Sequence, residues 1–277
     1  MPPRIAIPVP HSGNPDYAER SLPQYERAVA MAGGEPVRIP LDQSPAEVMK
    51  LIEHCDAVLL PGSPADVDPA KYDAPRNILT AAADSKRDTV DELLLQDAYN
   101  MHKPILGICY GLQILNVYRS GTLVQHIASK INHEAGKKIA IAHSVEIDPA
   151  SKLAEISRSQ LPSTGMVGGQ GAGDAAHAAA QARARASEER SLILPVNSSH
   201  HQSADLVGDG LRIVARSPGD GIIEALEGTS PDHFVLAVQW HPERSVDADE
   251  PSRQIFKALV EAARSSHTKL AGESRTT

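Results

Sequence analysis

Short apolar runs alternate with longer amphipathic segments through the first hundred residues of this chain. Strands are predicted at residues 5–9, 36–40, 57–60 and 104–108, and helices near residues 17–32, 45–53 and 89–102. Strands that alternate with helices indicate a parallel sheet. The runs at 57–60 and 104–108 lack polar alternation, which is typical of strands covered by helices on both faces.

The second half of the chain has a different pattern. Strands are predicted at residues 138–147, 192–196, 211–217, 222–227 and 234–240, and a closing helix is predicted at residues 251–265. Few helical patterns separate these strands, so we expect antiparallel hairpins added to the parallel core. The pattern as a whole predicts an α/β fold with a mostly parallel sheet, helices on both faces and added antiparallel strands.

One domain is predicted over residues 4–265, interrupted by a low-complexity insertion at 157–190. The insertion is rich in Gly, Ala, Gln, Arg and Ser and has few large apolar residues. Such a segment buries too little surface to offset the entropy of ordering, so we expect a flexible loop with a fraying Ala-rich helix. A lid over a site is the alternative. Its glycines lack the preceding strand and following Gly-Lys-Ser/Thr of a phosphate loop. Residues 268–277 are predicted to be a disordered tail.

Candidate chemistry first appears at Cys109, which lies between Gly107 and Gly111 where a predicted strand runs into a helical segment. A sharp strand-to-helix elbow needs small neighbours, because the backbone is strained and other chain segments pass close to it. The first amides of the following helix would also favour the thiolate of Cys109. Cys109 is therefore the candidate nucleophile, although a structural cysteine between glycines is the alternative.

A second strand-like run ends in Trp240-His241-Pro242-Glu243. An activated thiol needs an imidazole within hydrogen-bond reach and a third group that holds the ring. In an extended segment, side chains two residues apart leave the same face, so Glu243 can fix the tautomer of His241. Together with an elbow cysteine, this pair favours a catalytic site.

Motifs along the whole chain support this interpretation. GICYGLQ at residues 107–113 and VQWHPE at 238–243 resemble the class I glutamine amidotransferase superfamily. Four further motifs resemble the γ-glutamyl-γ-aminobutyrate hydrolase branch: LLPGSPADVDPAKY at 59–72, DSKRD at 84–88, GTLVQ at 121–125 and VNSSHHQ at 196–202. The resemblance covers roughly residues 4–265, apart from the insertion, and implies a flavodoxin-like fold.

The resemblance implies attack by Cys109 on the γ-carbonyl of a glutamyl amide, with His241 as acid and base and Glu243 as its orienter. Backbone N–H groups would stabilise the oxyanion, and Gly62, Ser63 and Tyr110 are the candidates. By analogy with the superfamily, the substrate would contact Gln113, Ser199, His200, His201 and Gln202.

The chain departs from the branch at several positions. Tyr110 follows the nucleophile where the branch usually has Arg, and a tyrosine there resembles the amidotransferase subunits of nucleotide synthesis. Ser120, His126 and Asp91 stand where Gly, Asp and Glu are usual. The reacting groups are kept, so the departures bear on the substrate more than on the chemistry.

Two consecutive histidines, His200 and His201, raise the question of a metal. No further spacing of His, Cys, Asp or Glu completes a metal site in the sequence, so neither a metal nor another cofactor is expected.

Charge and composition narrow the class of partner. The 277 residues carry a net charge of −8 and are 41% hydrophobic, which is typical of a globular enzyme and disfavours nucleic acid as a partner. No apolar run approaches the roughly 20 residues of a membrane span, and Met1 leads directly into a strand rather than a signal peptide. A cytoplasmic location is expected. Two cysteines make no disulfide framework, and Cys55 is expected to be a packing residue.

Three functions remain open from the sequence. The first is a free-standing hydrolase of γ-glutamyl amides, whose partner would be a small γ-glutamyl substrate. The second is a glutaminase subunit that passes ammonia to a separate synthase, since the chain has no synthase domain. The third is a non-catalytic binding module on the same fold. A homodimer is also left open.

Overall fold

The computed structural model describes residues 1–158 and 191–273, which form a central sheet with helices on both faces. The strands are β1 (Arg4–Pro8), β2 (Glu35–Ile39), β3 (Ala57–Leu60), β4 (Ile105–Ile108), β5 (Leu123–Val124), β6 (His143–Ile147), β7 (Leu192–Val196), β8 (Ser203–Ala204), β9 (Leu211–Arg216), β10 (Ile223–Gly228) and β11 (Val235–Val238). The helices are α1 (Pro15–Met31), α2 (Pro45–Ile52), α3 (Ser85–Met101), α4 (Tyr110–Tyr118), α5 (Lys152–Arg158) and α6 (Glu250–Glu273), with 3-10 turns at Pro69–Tyr72 and Pro242–Arg244.

Within the described residues, nine strands form the main sheet, in the order β2-β1-β3-β4-β11-β10-β9-β6-β7. The five strands from β2 to β11 are parallel to one another. The four that follow, from β10 to β7, pair antiparallel. The predicted fold class is therefore confirmed: antiparallel strands extend a parallel α/β core.

Successive side chains of the parallel strands point to opposite faces of the sheet, and both faces are covered by helices. Ile5, Ile7 and Leu59 are fully buried in a core cluster with residues of α1, α5 and α6. Their neighbours Ala6 and Val58 point to the opposite face and pack with residues of α2, α3 and α4. Successive side chains of a strand leave opposite faces, so an uninterrupted apolar run fills two cores at once.

A buried arginine fixes the loops at the carboxyl edge of the parallel strands. Arg87 of α3 has no exposed surface and pairs with Asp91, with Nε 2.8 Å from one carboxylate oxygen. Its terminal nitrogens donate to the carbonyl oxygens of Pro10 and Pro61, at 2.9 and 2.8 Å. These carbonyls follow β1 and β3, so the ion pair holds two loops in the region where ligands of such sheets bind.

The structure differs from the sequence prediction in several elements. Helix α5 and the two-stranded sheet of β5 and β8 were not predicted, because each is too short to show a periodic pattern. Helix α6 continues to Glu273, past the predicted end of the domain, since backbone hydrogen bonding adds residues readily to a helix already formed. Most of the predicted insertion, residues 159–190, and the final residues 274–277 lie outside the described residues.

Candidate active site

Cys109 lies at a strained turn between β4 and α4. Its φ and ψ are 55° and −105°, a conformation that side-chain-bearing residues rarely adopt and that is often found at active sites. A Cβ on Gly111 would lie 2.1 Å from the carbonyl oxygen of Leu60, and one on Gly107 would lie 2.7 Å from the oxygen of Gly111. Both glycines are therefore required by close backbone packing, as the elbow pattern predicts.

The Cys109 thiol is buried and held in its protonated form. Burial raises its pKa to about 12, and the opposing effects of the Arg244 charge and the Tyr110 N–H do not offset this. Desolvation of the thiolate therefore opposes the stabilisation expected from the helix amides, of which the Tyr110 N–H bonds the sulfur. The thiol therefore needs a base to take its proton during attack.

His241 and Glu243 form a buried pair. His241 Nδ1 lies 2.8 Å from Glu243 Oε1, and the two residues are 2% and 4% exposed. Burial lowers the pKa of His241 despite the nearby carboxylate, so the ring is neutral. Burial by itself raises the pKa of Glu243, but His241 and Arg244 together lower it, so the carboxylate is charged. Nδ1–H donates to Glu243, which leaves Nε2 free to accept a proton.

Asn197 positions His241, and it is not among the site residues predicted from the sequence. Its side-chain amide donates to the His241 carbonyl at 2.8 Å and accepts from the His241 backbone N–H at 3.0 Å. This pair of hydrogen bonds fixes the chain at His241 to the segment after β7. The VNSSHHQ motif was the available signal, because Asn197 lies within it.

The imidazole and the nucleophile converge at Gly62. The position of a Cβ on Gly62 lies 2.9 Å from His241 Cε1 and 3.5 Å from Cys109 Cβ. The Gly62 N–H donates to the hydroxyl of Tyr25 at 3.0 Å, so its predicted oxyanion role requires that this hydroxyl give way to a substrate. Ser63 Oγ accepts from the Ala65 N–H at 3.1 Å.

The backbone and side chain of Tyr110 have different surroundings. Its N–H donates to the Cys109 sulfur, a position suited to an oxyanion donor. Its side chain is 1% exposed, donates to Asp88 and packs with Arg87 5.0 Å from the ring centroid. Tyr110, which stands where the hydrolase branch usually has Arg, thus fills the core against α3.

Gln113 and Gln202, two of the predicted substrate-binding residues, connect α4 to the segment after β7. Gln113 is 4% exposed, and its amide nitrogen donates to the Gln202 carbonyl at 3.1 Å. Gln202 is 1% exposed and donates through its side chain to the Gln125 carbonyl at 3.0 Å. These contacts brace the helix of the nucleophile against the segment that follows β7, and direct contact with a substrate stays a prediction.

The remaining predicted residues separate into different surroundings. Ser199 Oγ accepts from Arg244 at 2.8 Å, so it lies beside the His241 and Glu243 pair. His201 Nε2 lies 3.1 Å from both carboxylate oxygens of Asp66, which belongs to the loop after β3. His200 faces a separate buried cluster with His133, His143 and Glu224. The expectation that nothing completes a metal-ligand set around these histidines is therefore corrected.

Positive charge gathers near the candidate nucleophile. Burial raises the pKa of Tyr17 to about 12, and the negative charge of Glu243 acts in the same direction. Lys137 Nζ lies 4.8 Å from the centroid of the Tyr17 ring. Burial and then the charge of Arg244 lower the pKa of Lys137, which indicates that these cations are close. Lys137 thus lies at Tyr17, and Arg244 lies at Glu243, with its Nε 3.6 Å from Glu243 Oε1.

Fold and site together define the class of protein. The mixed α/β architecture with an elbow cysteine is that of class I glutamine amidotransferase-like proteins. The sequence profile of the peptidase C26 family matches residues 8–243, and the chain belongs to that family. Family membership and the names of its relatives support a hydrolase.

Individual relatives agree with the assignment to this family. A glutamine amidotransferase-like protein of Rickettsia prowazekii is 32% identical over 266 residues, which cover 90% of each chain. A protein of Escherichia coli O157:H7 named gamma-glutamyl-gamma-aminobutyrate hydrolase is 30% identical over 254 residues, covering 89% of this chain and 87% of that protein. A solved structure from Thermoplasma acidophilum, described as a GMP synthase subunit, superposes with a TM-score of 0.58 at 13% identity and covers 98% of each chain, which shows the shared fold.

A membrane-spanning helix has to be both long and apolar. Among the described residues, no helix meets both conditions.

Proposed function

We propose that this protein is a cysteine-dependent hydrolase of γ-glutamyl amides with Cys109, His241 and Glu243 as its catalytic triad. The observation that carries the proposal is the convergence of a buried thiol at a strained elbow with a neutral imidazole locked to a carboxylate at 2.8 Å. The reaction would release glutamate and an amine through a γ-glutamyl thioester.

The protonation states suggest how each step proceeds. As Cys109 Sγ bonds to the γ-carbonyl carbon, His241 Nε2 takes the thiol proton, and the carbonyl oxygen becomes an oxyanion. Collapse of this intermediate breaks the C–N bond as His241 gives the proton to the leaving nitrogen. Water then attacks the thioester while His241 takes its proton. Collapse of this second intermediate breaks the C–S bond and releases glutamate, and His241 returns the proton to the sulfur, which restores the thiol. Glu243 holds the ring and stabilises the imidazolium in both halves.

The charges around the thiol support an anionic substrate. Arg244 Nε lies 3.6 Å from Glu243 Oε1, and the charges of Arg244 and Arg20 both act on Lys137. A γ-glutamyl amide carries an α-carboxylate, and an amine such as γ-aminobutyrate carries a second carboxylate on the leaving side. A basic region next to the nucleophile would attract both groups and hold at least one of them.

A glutaminase subunit that delivers ammonia to a separate synthase is the second candidate. The feature that favours it is Tyr110, in place of the Arg usual in the hydrolase branch. The buried contact of Tyr110 with Asp88 makes this difference one of core packing, which weakens its bearing on the substrate.

Glutamate release by the purified protein alone separates the candidates. We expect turnover of γ-glutamyl-γ-aminobutyrate with much slower release from glutamine. Cys109→Ser should abolish turnover, whereas Cys55→Ser, which changes a buried thiol bonded to the Leu51 carbonyl at 3.4 Å, should leave it unchanged. Circular dichroism of both variants verifies that the fold is kept.

Other results lead to different conclusions. Glutamine hydrolysis that appears only with an added synthase would favour the amidotransferase role. Folded protein with no turnover of any γ-glutamyl amide would favour a binding module, and an active Cys109→Ser variant would exclude the mechanism.

A further inference from the structure

Three histidines and a glutamate from four separate segments meet in the interior. His133 lies in the loop after β5, His143 begins β6, His200 follows β7, and Glu224 lies in β10. Their side chains are at most 6% exposed, and Glu224 is fully buried. One nitrogen or oxygen of each residue lies within 4.8 Å of the corresponding atom of every other member.

The spacing within this His3Glu cluster fits a tetrahedral cation. Glu224 Oε1 lies 3.2 Å from His133 Nδ1, 3.5 Å from His143 Nε2 and 3.6 Å from His200 Nε2. Ligand atoms about 2.0–2.1 Å from a tetrahedral Zn²⁺ are separated from one another by about 3.3 Å. The three measured distances are thus close to the edges of one zinc tetrahedron.

Partners on the far side of each ring determine which nitrogen carries a proton. His143 Nδ1 lies 3.2 Å from the Ser144 carbonyl, and His200 Nδ1 lies 3.0 Å from the Gln202 carbonyl. A carbonyl oxygen only accepts, so both Nδ1 atoms are protonated and both Nε2 atoms of the neutral rings carry lone pairs.

His133 has the reverse arrangement. Its Nε2 lies 2.9 Å from a carboxylate oxygen of Asp220, so Nε2 donates to Asp220, and in the neutral ring Nδ1 carries the lone pair. A carboxylate or carbonyl behind each imidazole is the arrangement that holds metal-binding histidines in position and raises their basicity.

The lone pairs of four buried groups therefore point at one another. The inward nitrogens of the three histidines and both oxygens of Glu224 face one another, and within the described residues they have no hydrogen-bond partner outside the cluster. Buried polar atoms are nearly always satisfied, and several acceptors aimed at one point in a low-dielectric interior repel each other. A cation at the centre removes the repulsion and satisfies all four residues.

We propose that His133, His143, His200 and Glu224 bind a Zn²⁺ ion in a closed site. Nitrogen and carboxylate ligands in tetrahedral array suit zinc, and four protein ligands leave no position open for water, which is typical of a structural site. This zinc site uses none of the triad residues, although the charges of Glu224 and His200 act on Cys109 and His241. It is independent of the substrate assigned above.

The position of the zinc site gives it a role in holding the candidate active site. The His133 carbonyl accepts from the His200 N–H at 2.9 Å and from Ser198 Oγ at 2.6 Å. Through His143 and Glu224, zinc would connect this contact to β6 and β10. The same segment carries Asn197, which grips the backbone of His241. The ion would thus act as a positioning element for the base, without contact with the reacting atoms.

Metal analysis of untagged protein tests the zinc site directly. After growth with added zinc and exhaustive dialysis, mass spectrometry should find about one zinc per chain in the wild type. Glu224→Gln and His143→Ala should lose the metal, whereas His54→Ala, a change at an exposed histidine, should keep it. Protein stripped by a chelator should regain thermal stability on titration with Zn²⁺, and Co²⁺ in its place should give the visible spectrum of tetrahedral cobalt.

Asp220→Asn offers a milder variant that keeps all four ligands. Loss of a carboxylate behind a metal-binding histidine should weaken zinc affinity about 10- to 100-fold, measured against a competing chelator. The proposal is overturned if wild-type protein neither contains nor takes up zinc, in which case protons shared with Glu224 hold the cluster. Equal zinc content in the wild type and in folded Glu224→Gln would overturn it too. If the ligand variants fail to fold, the titration of stripped wild-type protein and the Asp220→Asn affinity still decide the matter.

Discussion

At the scale of single residues, burial decides the chemistry near Cys109. Desolvation disfavours every charged form, so it raises the pKa of the thiol to about 12 and lowers the pKa of His241. The resting pair is then neutral thiol and neutral imidazole. Proton transfer has to accompany attack, which makes His241 indispensable.

The expected pH profile of the activity follows from the directions of these pKa shifts. Activity should fall on the acid side as His241 becomes protonated, since an imidazolium cannot take the thiol proton. Because its pKa lies below the ordinary value of about 6.5, the midpoint of kcat/KM should lie below that pH, with a plateau through about pH 9. Glu243 raises the pKa of His241, so Glu243→Gln should move the midpoint to still lower pH. A midpoint above pH 7 would contradict a neutral buried base.

Substitutions of His241 and of Glu243 should lower the catalytic rate by different amounts. His241→Ala removes the base and should lower kcat by about 10²- to 10⁴-fold. Glu243→Ala removes only the group that orients and stabilises the ring, so the loss should be smaller. Steady-state kinetics with His54→Ala as control measures both losses. Negligible losses at both positions would place the base elsewhere, with His201 and His200 next in line.

At the scale of elements, the elbow depends on how closely α4 approaches β3. The first turn of α4 lies against the end of β3, and Gly111 leaves no room for a side chain because the Leu60 oxygen would be 2.1 Å from its Cβ. The strained φ of Cys109 persists because β4 and α4 are both fixed by the core. Packing of whole elements thus determines the geometry of one residue.

Gly111→Ala should therefore destabilise the protein strongly. The added methyl group meets backbone rather than a flexible side chain, so the free energy of unfolding should fall by about 3 kcal/mol or more, or the variant should not fold. Gly13→Ala is a matched control, because the nearest atom to its new Cβ among the described residues is 3.5 Å away. Urea denaturation compares the two. Equal stability would show that α4 can move away from β3 at little cost.

At the scale of the whole molecule, both halves of the chain are needed for the candidate site. The parallel half supplies Cys109 and Gly62, and β11 brings His241 beside them by pairing with β4. The antiparallel half supplies Asn197 and three of the four proposed zinc ligands. The insertion predicted from the sequence at 157–190 begins in the last two residues of α5 and ends before β7.

Deletion of residues 165–186 tests whether that insertion is passive. Its composition offers almost no apolar side chain to the core, and a change in loop length alters closure entropy by only about 0.6 kcal/mol per doubling. With a short linker in its place, melting temperature and kcat/KM should stay nearly unchanged. A tenfold or larger fall in kcat/KM at constant melting temperature would instead identify the segment as a lid.

The sequence by itself determined the parallel core, its added antiparallel strands and the strongest candidates for chemistry. Apolar runs, glycine spacing at the elbow and the His241 and Glu243 pair are local patterns, and local patterns are readable along a chain. Contacts between residues that are far apart in the sequence were decided by the tertiary structure alone. Asn197 reaches His241 across 44 residues, and the ligands of the proposed zinc site come from four segments with no common spacing. Burial, too, is a property of the packed molecule, so only the fold reveals that the thiol of Cys109 is protonated.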